Sequence, residues 1–201
     1  MDAFSCAACP RRCGALRKPA QPSGGFCGMP AGFVVARAAL HQWEEPCISG
    51  QHGSGTVFFS GCSLRCVYCQ NQQISLGRYG ALVTEENLLR MFDRLIEQGA
   101  HNLNLVNPTH YAPMLAKALK KYCSPVPVIY NSGGYERVEM LKALEGLVDI
   151  YLPDLKYVDS AVSLRYSGAA DYFDYASKAI LEMSRQVGKA TFDENGVMKK
   201  G

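Results

Sequence analysis

The sequence is low in charge and lacks any long apolar run. Charged residues make up 19% of its 201 residues, below the roughly 25% usual in soluble domains. Because 48% of the residues are hydrophobic, the composition excludes a disordered chain and predicts a substantial core. No apolar stretch approaches the roughly 18–20 residues that span a bilayer, so we expect no membrane partner.

The N-terminus and the net charge exclude two further classes. The start, Met1-Asp2-Ala3-Phe4, has neither the basic region nor the apolar core of a secretory signal, so we expect a cytoplasmic protein. A net charge of +3 over 201 residues is too small to indicate a nucleic-acid partner.

Cysteine is the residue that the sequence has in excess. Nine cysteines are present, and seven of them fall in two clusters. In a chain without an export signal, clustered thiols are more typical of metal sites than of disulfides, and an odd total argues against a purely disulfide-bonded scaffold. The other two, Cys47 and Cys123, are isolated, and we interpret them as small buried hydrophobic residues.

The second cluster has the spacing C-x3-C-x2-C and consists of Cys62, Cys66 and Cys69. A structural zinc site usually finds a second pair of ligands further along the chain, but the next cysteine is the isolated Cys123. Three close thiolates instead suit a [4Fe–4S] cluster in which no protein side chain binds the fourth iron. The alternatives are a zinc knuckle and a chance loop.

The residues around this cluster carry a family resemblance. The spacing, with Tyr68 directly before the third cysteine, resembles the signature of radical S-adenosylmethionine (SAM) enzymes. The longer runs FFSGC at 58–62, CVYCQN at 66–71 and IS at 74–75 are similar to the pyruvate formate-lyase activating enzyme branch of that superfamily. The resemblance implies an α/β fold, a partial parallel β/α barrel of six βα units with the iron–sulfur cluster in the first βα loop.

The first cysteine cluster lies in a segment rich in proline and glycine. Its spacing is C-x2-C-x3-C-x13-C, and its members are Cys6, Cys9, Cys13 and Cys27. A segment of about 30 residues with few apolar side chains does not fold on its own core, so we expect a metal to staple it. The thiols suit zinc or an auxiliary iron–sulfur cluster, with free thiols as the alternative. We interpret Arg11 and Arg12 as solvated.

Strands and helices alternate from residue 56 onward. Buried apolar runs predict strands at 56–60, 103–106, 126–130 and 148–152. Helical periodicity and capping residues predict helices between Thr84 and Gly99 and over 111–121, 137–144 and 171–185. Alternation of this kind implies right-handed βα units and a parallel sheet, and four such units are recognisable. Asn195-Gly196 indicates a turn in the tail.

Polar residues follow each predicted strand. The second cysteine cluster follows the first strand, Asn107 and Thr109 follow the second, Asn131 follows the third, and Asp154 and Lys156 follow the fourth. Because the chemistry of parallel sheets collects at the carboxyl ends of the strands, we expect these side chains around one mouth.

The resemblance also assigns roles to these residues. Tyr68 matches the aromatic residue near the adenine of SAM, and Asn131 matches a polar residue that reaches the ribose. Residues 107–109 stand where the family's Gly-Gly-Glu motif meets the methionine amino group. No acidic residue is present there, so the contact would be made by the Thr109 hydroxyl or by a main-chain carbonyl. Asp154 and Lys156 match the D-x-K motif of glycyl-radical activating enzymes, in which the lysine pairs with the cofactor carboxylate. The alternatives are a helix cap for Thr109, a turn for Asn131, and solvated charges for Asp154 and Lys156.

By the same resemblance, Cys62, Cys66 and Cys69 bind the cluster and the methionine part of SAM binds its open iron. One electron from a flavodoxin or ferredoxin then cleaves SAM to methionine and a 5′-deoxyadenosyl radical. That radical abstracts hydrogen, in the activating enzymes from a glycine of a partner enzyme, which makes the protein an oxidoreductase. The alternatives are an iron–sulfur electron-transfer protein, a zinc-binding module and an inactive fragment.

The length fits this fold only in part. We divide the chain into a cysteine-rich lead-in at 1–32, a connecting segment at 33–55 and an incomplete barrel at 56–201. At about 31 residues per βα unit, the last part holds fewer than the six units expected. We therefore expect a C-terminally truncated member of the family, with an open sheet edge after the fourth strand.

Overall fold

The computed structural model describes residues 2–201 and has a mixed α/β fold. The strands are β1 (Phe4–Ser5), β2 (Leu16–Arg17), β3 (Phe33–His41), β4 (Ser54–Phe59), β5 (Ala81–Val83), β6 (Leu103–Val106), β7 (Val128–Ser132), β8 (Ile150–Pro153), β9 (Thr191–Phe192) and β10 (Met198–Lys200). The helices are α1 (Pro46–Ser49), α2 (Gln72–Ser75), α3 (Glu85–Glu97), α4 (Ala112–Leu119), α5 (Val138–Lys142), α6 (Ser160–Ser167) and α7 (Tyr172–Val187), and a 3-10 turn spans Thr109–Tyr111.

The central sheet has six strands in the order β5-β3-β4-β6-β7-β8. The strands β4, β6, β7 and β8 are parallel, which confirms the four predicted strands of the βα units. The sheet is mostly parallel, and two strands that were not predicted extend it, because β3 pairs antiparallel with β4 and with β5. Residues 33–55, predicted as a connecting segment, therefore include β3, a nine-residue strand of the sheet. We call residues 2–32 the N-terminal segment and residues 33–201 the βα body.

The predicted strand boundaries agree best with the structure for the strand that has the shortest apolar run. The strand at 103–106 is reproduced as β6. The third strand lies two residues later than predicted, because the main chain of the polar residues Asn131 and Ser132 still pairs with the neighbouring strands. Apolar runs mark which residues are buried, whereas strand ends follow main-chain pairing.

The long helices pack against one face of the sheet. Thr84 caps α3 by accepting a hydrogen bond from the main-chain nitrogen of Asn87 at 3.1 Å, as predicted. The side chains Leu88, Phe92 and Leu95 of α3 are buried in the main core, and their spacing is that of one helical face. The helix α6 was not predicted, because its only buried residues are the polar Ser163 and Ser167.

The other face of the sheet is covered by the segment between β3 and β4. Ile48 of α1 packs with Ile129 and Ile150, which alternate along their strands with residues of the main core. The side chain of Asn102 donates to the Ile48 carbonyl at 2.8 Å and accepts from Ser54 Oγ at 2.6 Å. These bonds fix α1 across the amino ends of the central strands.

The tail forms a hairpin of β9 and β10, with its turn at the predicted Asn195-Gly196. Asp193 Oδ1 accepts from the main-chain nitrogens of Asn195 and Val197, both at 2.9 Å. Gly201 then pairs with the main chain of Asp149 and Tyr151. The edge of β8, which we expected to be open, is therefore covered at its first residues. Among the helices of residues 2–201, none has both the length and the apolar character needed to cross a membrane.

Candidate functional site

A cavity of about 1040 Å³ opens at the carboxyl ends of the four parallel strands. The residues that line it include all eight that were predicted for the iron–sulfur cluster and SAM: Cys62, Cys66, Cys69, Tyr68, Thr109, Asn131, Asp154 and Lys156. The structure thus brings together one set of side chains that is spread over 95 positions of sequence. Their individual roles stay predictions.

The three cysteines lie on the cluster loop, which we define as residues 60–71, directly after β4. Gly61 has a φ of +79°, and a Cβ atom there would lie 2.5 Å from Cγ of Met29. Only glycine fits that conformation at that distance. The loop therefore begins in direct contact with the N-terminal segment.

Buried polar side chains fix the start of the cluster loop. His110 Nε2 donates to the Ser60 carbonyl at 2.8 Å, and Tyr111 Oη donates to the same carbonyl at 3.2 Å. Burial lowers the pKa of His110 to about 3, so the imidazole is neutral and acts here as a hydrogen-bond donor. The amide of Asn107 donates to the Gly61 carbonyl.

Two of the three sulfur atoms accept hydrogen bonds from neighbouring groups. The main-chain nitrogen of Leu64 donates to Cys62 Sγ at 3.3 Å, and Ser167 Oγ donates to Cys66 Sγ at 2.9 Å. Burial raises the pKa of the Cys62 thiol, so a bound cation is needed to keep it deprotonated at neutral pH.

The cluster loop brings three thiols to one cavity. Within residues 2–201, no three His, Cys, Asp or Glu side chains are grouped so that they could hold one metal ion. A cubane cluster distributes its cysteines over separate irons, and here three thiols line one cavity, two of them already with hydrogen-bond donors at sulfur. The donor set therefore suits a [4Fe–4S] cluster.

Tyr68 lies at the mouth of the cavity, with 55% of its surface exposed. Its hydroxyl group donates to Tyr157 Oη at 2.6 Å. Its ring meets the rings of Tyr157 and Tyr166 edge-on, at centroid distances of 6.2 and 6.3 Å. One face of an aromatic ring is thus held in place beside the cysteines by two neighbours.

Thr109 contacts a buried acidic residue, Glu136, that was not predicted as part of the site. Its Oγ1 donates to Glu136 Oε1 at 2.5 Å, and Tyr130 Oη donates to Glu136 Oε2 at 3.2 Å. Since the hydroxyl proton of Thr109 points to Glu136, its oxygen is left as an acceptor toward the cavity. Glu136 follows β7, is fully buried and does not itself line the cavity.

Glu136 is fully buried, and burial raises its pKa to about 7. The hydrogen bonds from Thr109, Ser132 and Tyr130 oppose that rise, because they stabilise the carboxylate. The available sequence signal was an acidic residue shortly after a parallel strand, two positions beyond Gly134.

Asn131 belongs to β7 rather than to the loop after it. Its carbonyl accepts from the main-chain nitrogen of Asn107 at 2.8 Å. Asn107 has a φ of +59°, a left-handed conformation that asparagine tolerates better than most residues. The turn interpretation of Asn131 is therefore wrong, and its side chain lies at the cavity wall.

Asp154 and Lys156 form an ion pair with each other. Lys156 Nζ lies 2.5 Å from Asp154 Oδ2, with side chains 27% and 57% exposed. Burial acts to lower the pKa of Lys156, but the hydrogen bond and charge of Asp154 outweigh it and raise that pKa. The hydroxyl of Tyr172 accepts from the main-chain nitrogen of Lys156 at 2.9 Å, so the loop carrying this ammonium group is fixed at the cavity.

The N-terminal cysteines lie in a different environment. Cys6, Cys9 and Cys27 are buried, whereas Cys13 is exposed. Burial raises the pKa of Cys9 to about 12, and the neighbouring thiols of Cys27 and Cys6 add to the rise. Arg17 is buried with them and donates from Nη2 to Cys27 Sγ at 3.2 Å.

Arg11 connects the N-terminal segment to the βα body, so the interpretation of this residue as solvated is wrong. Its Nε donates to the Ser63 carbonyl at 2.8 Å and its Nη2 to the Ser167 carbonyl at 2.6 Å, while Nη1 donates to the Gly168 carbonyl. The guanidinium group also lies 4.0 Å from the centroid of the Phe26 ring.

The two isolated cysteines differ from each other. Cys47 is half-buried and packs near Ile48. Cys123 is exposed, so its predicted burial is wrong. It follows the apolar face of α4, where the chain returns to solvent before β7.

Comparison with known proteins gives two matches. The model of the radical SAM superfamily matches residues 56–195, which run from β4 through the turn of the β9–β10 hairpin. The uncharacterized protein MJ0674 of Methanocaldococcus jannaschii is 30% identical over 178 residues, which cover 85% of this chain and 51% of that protein. The chain thus spans about half the length of the curated relative that it matches.

Proposed function

Because this chain belongs to the radical SAM superfamily, we propose that it binds a [4Fe–4S] cluster and SAM in the cavity beside the cluster loop. One observation carries this proposal. Three cysteines with the spacing C-x3-C-x2-C line the same cavity as polar residues at the carboxyl ends of three further parallel strands. Substrate sites in parallel sheets form at this end of the strands.

In this proposal Cys62, Cys66 and Cys69 hold the cluster through their thiolates. When bound, the cluster and SAM supply one-electron reductive cleavage of SAM to methionine and a 5′-deoxyadenosyl radical, which removes a hydrogen atom from the substrate. The chain's own residues bind and orient the cofactor, and the cavity walls separate the reaction from bulk water.

The remaining cavity residues each suit one part of SAM. The ring of Tyr68 offers an aromatic surface to the adenine, and Asn131 offers an amide to the ribose hydroxyls. Thr109 presents an acceptor oxygen to the amino group, because its own proton is bonded to Glu136. Lys156 presents its ammonium group to the carboxylate of SAM. In the structure this ammonium group is paired with Asp154, and the SAM carboxylate would replace Asp154 as its partner.

For the substrate, we propose a glycine of a partner enzyme, from which the radical takes a hydrogen atom. The support is the resemblance of residues 58–75 to the pyruvate formate-lyase activating enzymes. A flavodoxin or ferredoxin is the proposed electron donor. The N-terminal cysteines are proposed to hold zinc or an auxiliary cluster, supported by the four-cysteine spacing C-x2-C-x3-C-x13-C and by the electrostatic coupling of Cys9 to Cys27 and Cys6.

Anaerobic reconstitution tests the main proposal. The full chain is incubated with iron and sulfide, reduced with dithionite and mixed with SAM, and 5′-deoxyadenosine is measured by chromatography. We expect the nucleoside to appear with the wild type and to fall to background with Cys66→Ala. The variant Cys123→Ala is the matched control, because that thiol is exposed and away from the cavity.

Two other outcomes contradict the proposal. A redox-active cluster without SAM cleavage indicates an electron-transfer protein. Persistent cleavage by Cys66→Ala removes that cysteine from the ligand set. Zinc and iron analysis of the same samples reports on the N-terminal cysteines, where metal that survives in Cys66→Ala supports a second site.

A further inference from the structure

A hydroxyl group is aimed at one of the proposed cluster ligands from outside the cluster loop. Ser167, the last residue of α6, lies 2.9 Å from Cys66 Sγ through its Oγ atom. The serine is only 5% exposed, and the cysteine is also buried. The two residues are 101 positions apart in the sequence, so the contact depends on the tertiary fold.

Ser167 is the inner end of a chain of three hydroxyl groups. Tyr157 Oη lies 2.6 Å from Ser167 Oγ, and Tyr68 Oη lies 2.6 Å from Tyr157 Oη. We call Tyr68, Tyr157 and Ser167 the hydroxyl chain. It runs from the exposed mouth of the cavity to the buried sulfur of Cys66.

Counting the protons fixes the direction of this chain. Each hydroxyl has one proton to donate. If Ser167 gives its proton to Cys66 Sγ, Tyr157 is the donor to Ser167, and Tyr68 is then the donor to Tyr157. All three dipoles therefore point toward the sulfur, and hydrogen bonds aligned in this way strengthen one another.

We propose that the hydroxyl chain, through Ser167, raises the reduction potential of the cluster held by Cys66. This inference rests on the proposed function, because it requires the cluster. Hydrogen bonds to cluster sulfurs are among the determinants of reduction potential. Reduction adds one negative charge, part of which resides on the thiolate, so a donor at that sulfur stabilises the reduced state more than the oxidised one.

The main chain around Ser167 is held on two sides. Arg11 Nη2 donates to the Ser167 carbonyl at 2.6 Å, and the main-chain nitrogen of Val67 in the cluster loop donates to the Tyr166 carbonyl at 2.9 Å. The end of α6 and the cluster loop therefore keep a fixed spacing, and the hydroxyl of Ser167 stays in reach of the sulfur.

The test is the midpoint potential of the reconstituted full-length protein, followed by electron paramagnetic resonance during a redox titration without SAM. For Ser167→Ala we expect the ratio of reduced to oxidised cluster at a fixed potential to fall about tenfold, which corresponds to about 59 mV for one electron. Ser167→Thr keeps a hydroxyl group and should restore the wild-type potential.

Tyr68→Phe provides a variant that removes the outer hydroxyl from an exposed position, where loss of folding is not expected. We expect its potential to shift in the same direction as that of Ser167→Ala, by a smaller amount. Equal potentials for the wild type, Ser167→Ala and Tyr68→Phe at equal cluster content overturn the inference and leave the proposed function standing. A wild type that assembles no cluster overturns both.

Discussion

The two cysteine clusters of this protein have different environments. The thiols of the cluster loop line a cavity at the carboxyl ends of parallel strands. In the N-terminal segment, three of the four thiols are buried and the fourth, Cys13, is exposed. The comparison shows that the cluster-loop thiols line the large cavity at the sheet, whereas the N-terminal thiols do not, although Cys66 is as buried as Cys6 and Cys27.

The two regions also bury acidic groups with different consequences. Cys9 in the N-terminal segment has a pKa raised to about 12, and Glu136 in the βα body has a pKa raised to about 7. In both, burial is the largest cause. The thiol without metal therefore stays neutral across the physiological range, whereas the carboxyl group of Glu136 titrates within it.

The largest expected effect is on the pH dependence of stability, and it comes from Glu136 in the βα body. A carboxyl group with a raised pKa favours the folded state when it is protonated. Its contribution to stability is fully present below its ordinary value of 4.5 and is lost as the pH rises through about 7. Glu136→Gln mimics the neutral acid, so at pH 8 we expect the variant to be more stable than the wild type by about 3 kcal/mol.

Urea denaturation at pH 5 and pH 8 measures this difference, and the two proteins should be close to equal at pH 5. Glu139→Gln is the matched control. That acid is exposed three residues further on, and its pKa is lowered by a hydrogen bond to its own main chain and by Arg137. If the wild type and Glu136→Gln keep the same difference at both pH values, Glu136 does not titrate in this range.

The sequence was sufficient for the features that depend on neighbouring residues. The helix cap at Thr84 and the strand at 103–106 were predicted because a capping side chain and an apolar run are local signals. The location of the cluster loop at the carboxyl end of a parallel strand followed from the alternation of strands and helices alone. The sequence therefore predicted which residues lie together around the cavity.

The features that depend on distant residues were not predictable. Arg11 bonds to Ser167, 156 positions away, and nothing near either residue indicates the other. Glu136 contacts Thr109 across 27 positions and two elements. The strand β3 lies in the predicted connecting segment, since its pairing partners β4 and β5, and not its own residues, decide its place and direction in the sheet.

The connection between the two regions is tested next by Arg11→Ala. This side chain supplies donors to three carbonyls of the βα body, and its removal leaves partly buried carbonyls without partners. We expect the unfolding free energy to fall by about 2 kcal/mol. We also expect faster cleavage of the N-terminal segment in limited proteolysis, measured by mass spectrometry.

Arg12→Ala controls for the loss of one positive charge, because Arg12 is its exposed neighbour in the same segment. We expect this variant to match the wild type in both measurements. If Arg11→Ala also matches the wild type, the N-terminal segment is held by its apolar contacts, such as Met29 against Gly61, and not by the arginine.

The smallest expected effect belongs to Thr84→Ala, which alters the βα body alone. Thr84 caps the start of α3 from a neighbouring position in the chain, because its hydroxyl accepts the main-chain hydrogen of Asn87 at 3.1 Å. Arg11, in contrast, reaches the last residue of α6 from the N-terminal segment. Loss of an N-cap of this type costs about 1 kcal/mol. Urea denaturation should report that loss, while proteolysis of the N-terminal segment stays at the wild-type rate. Faster proteolysis in Thr84→Ala would mean that the N-terminal segment and the βα body unfold together. The two regions would then differ in the environments of their cysteines but share one stability.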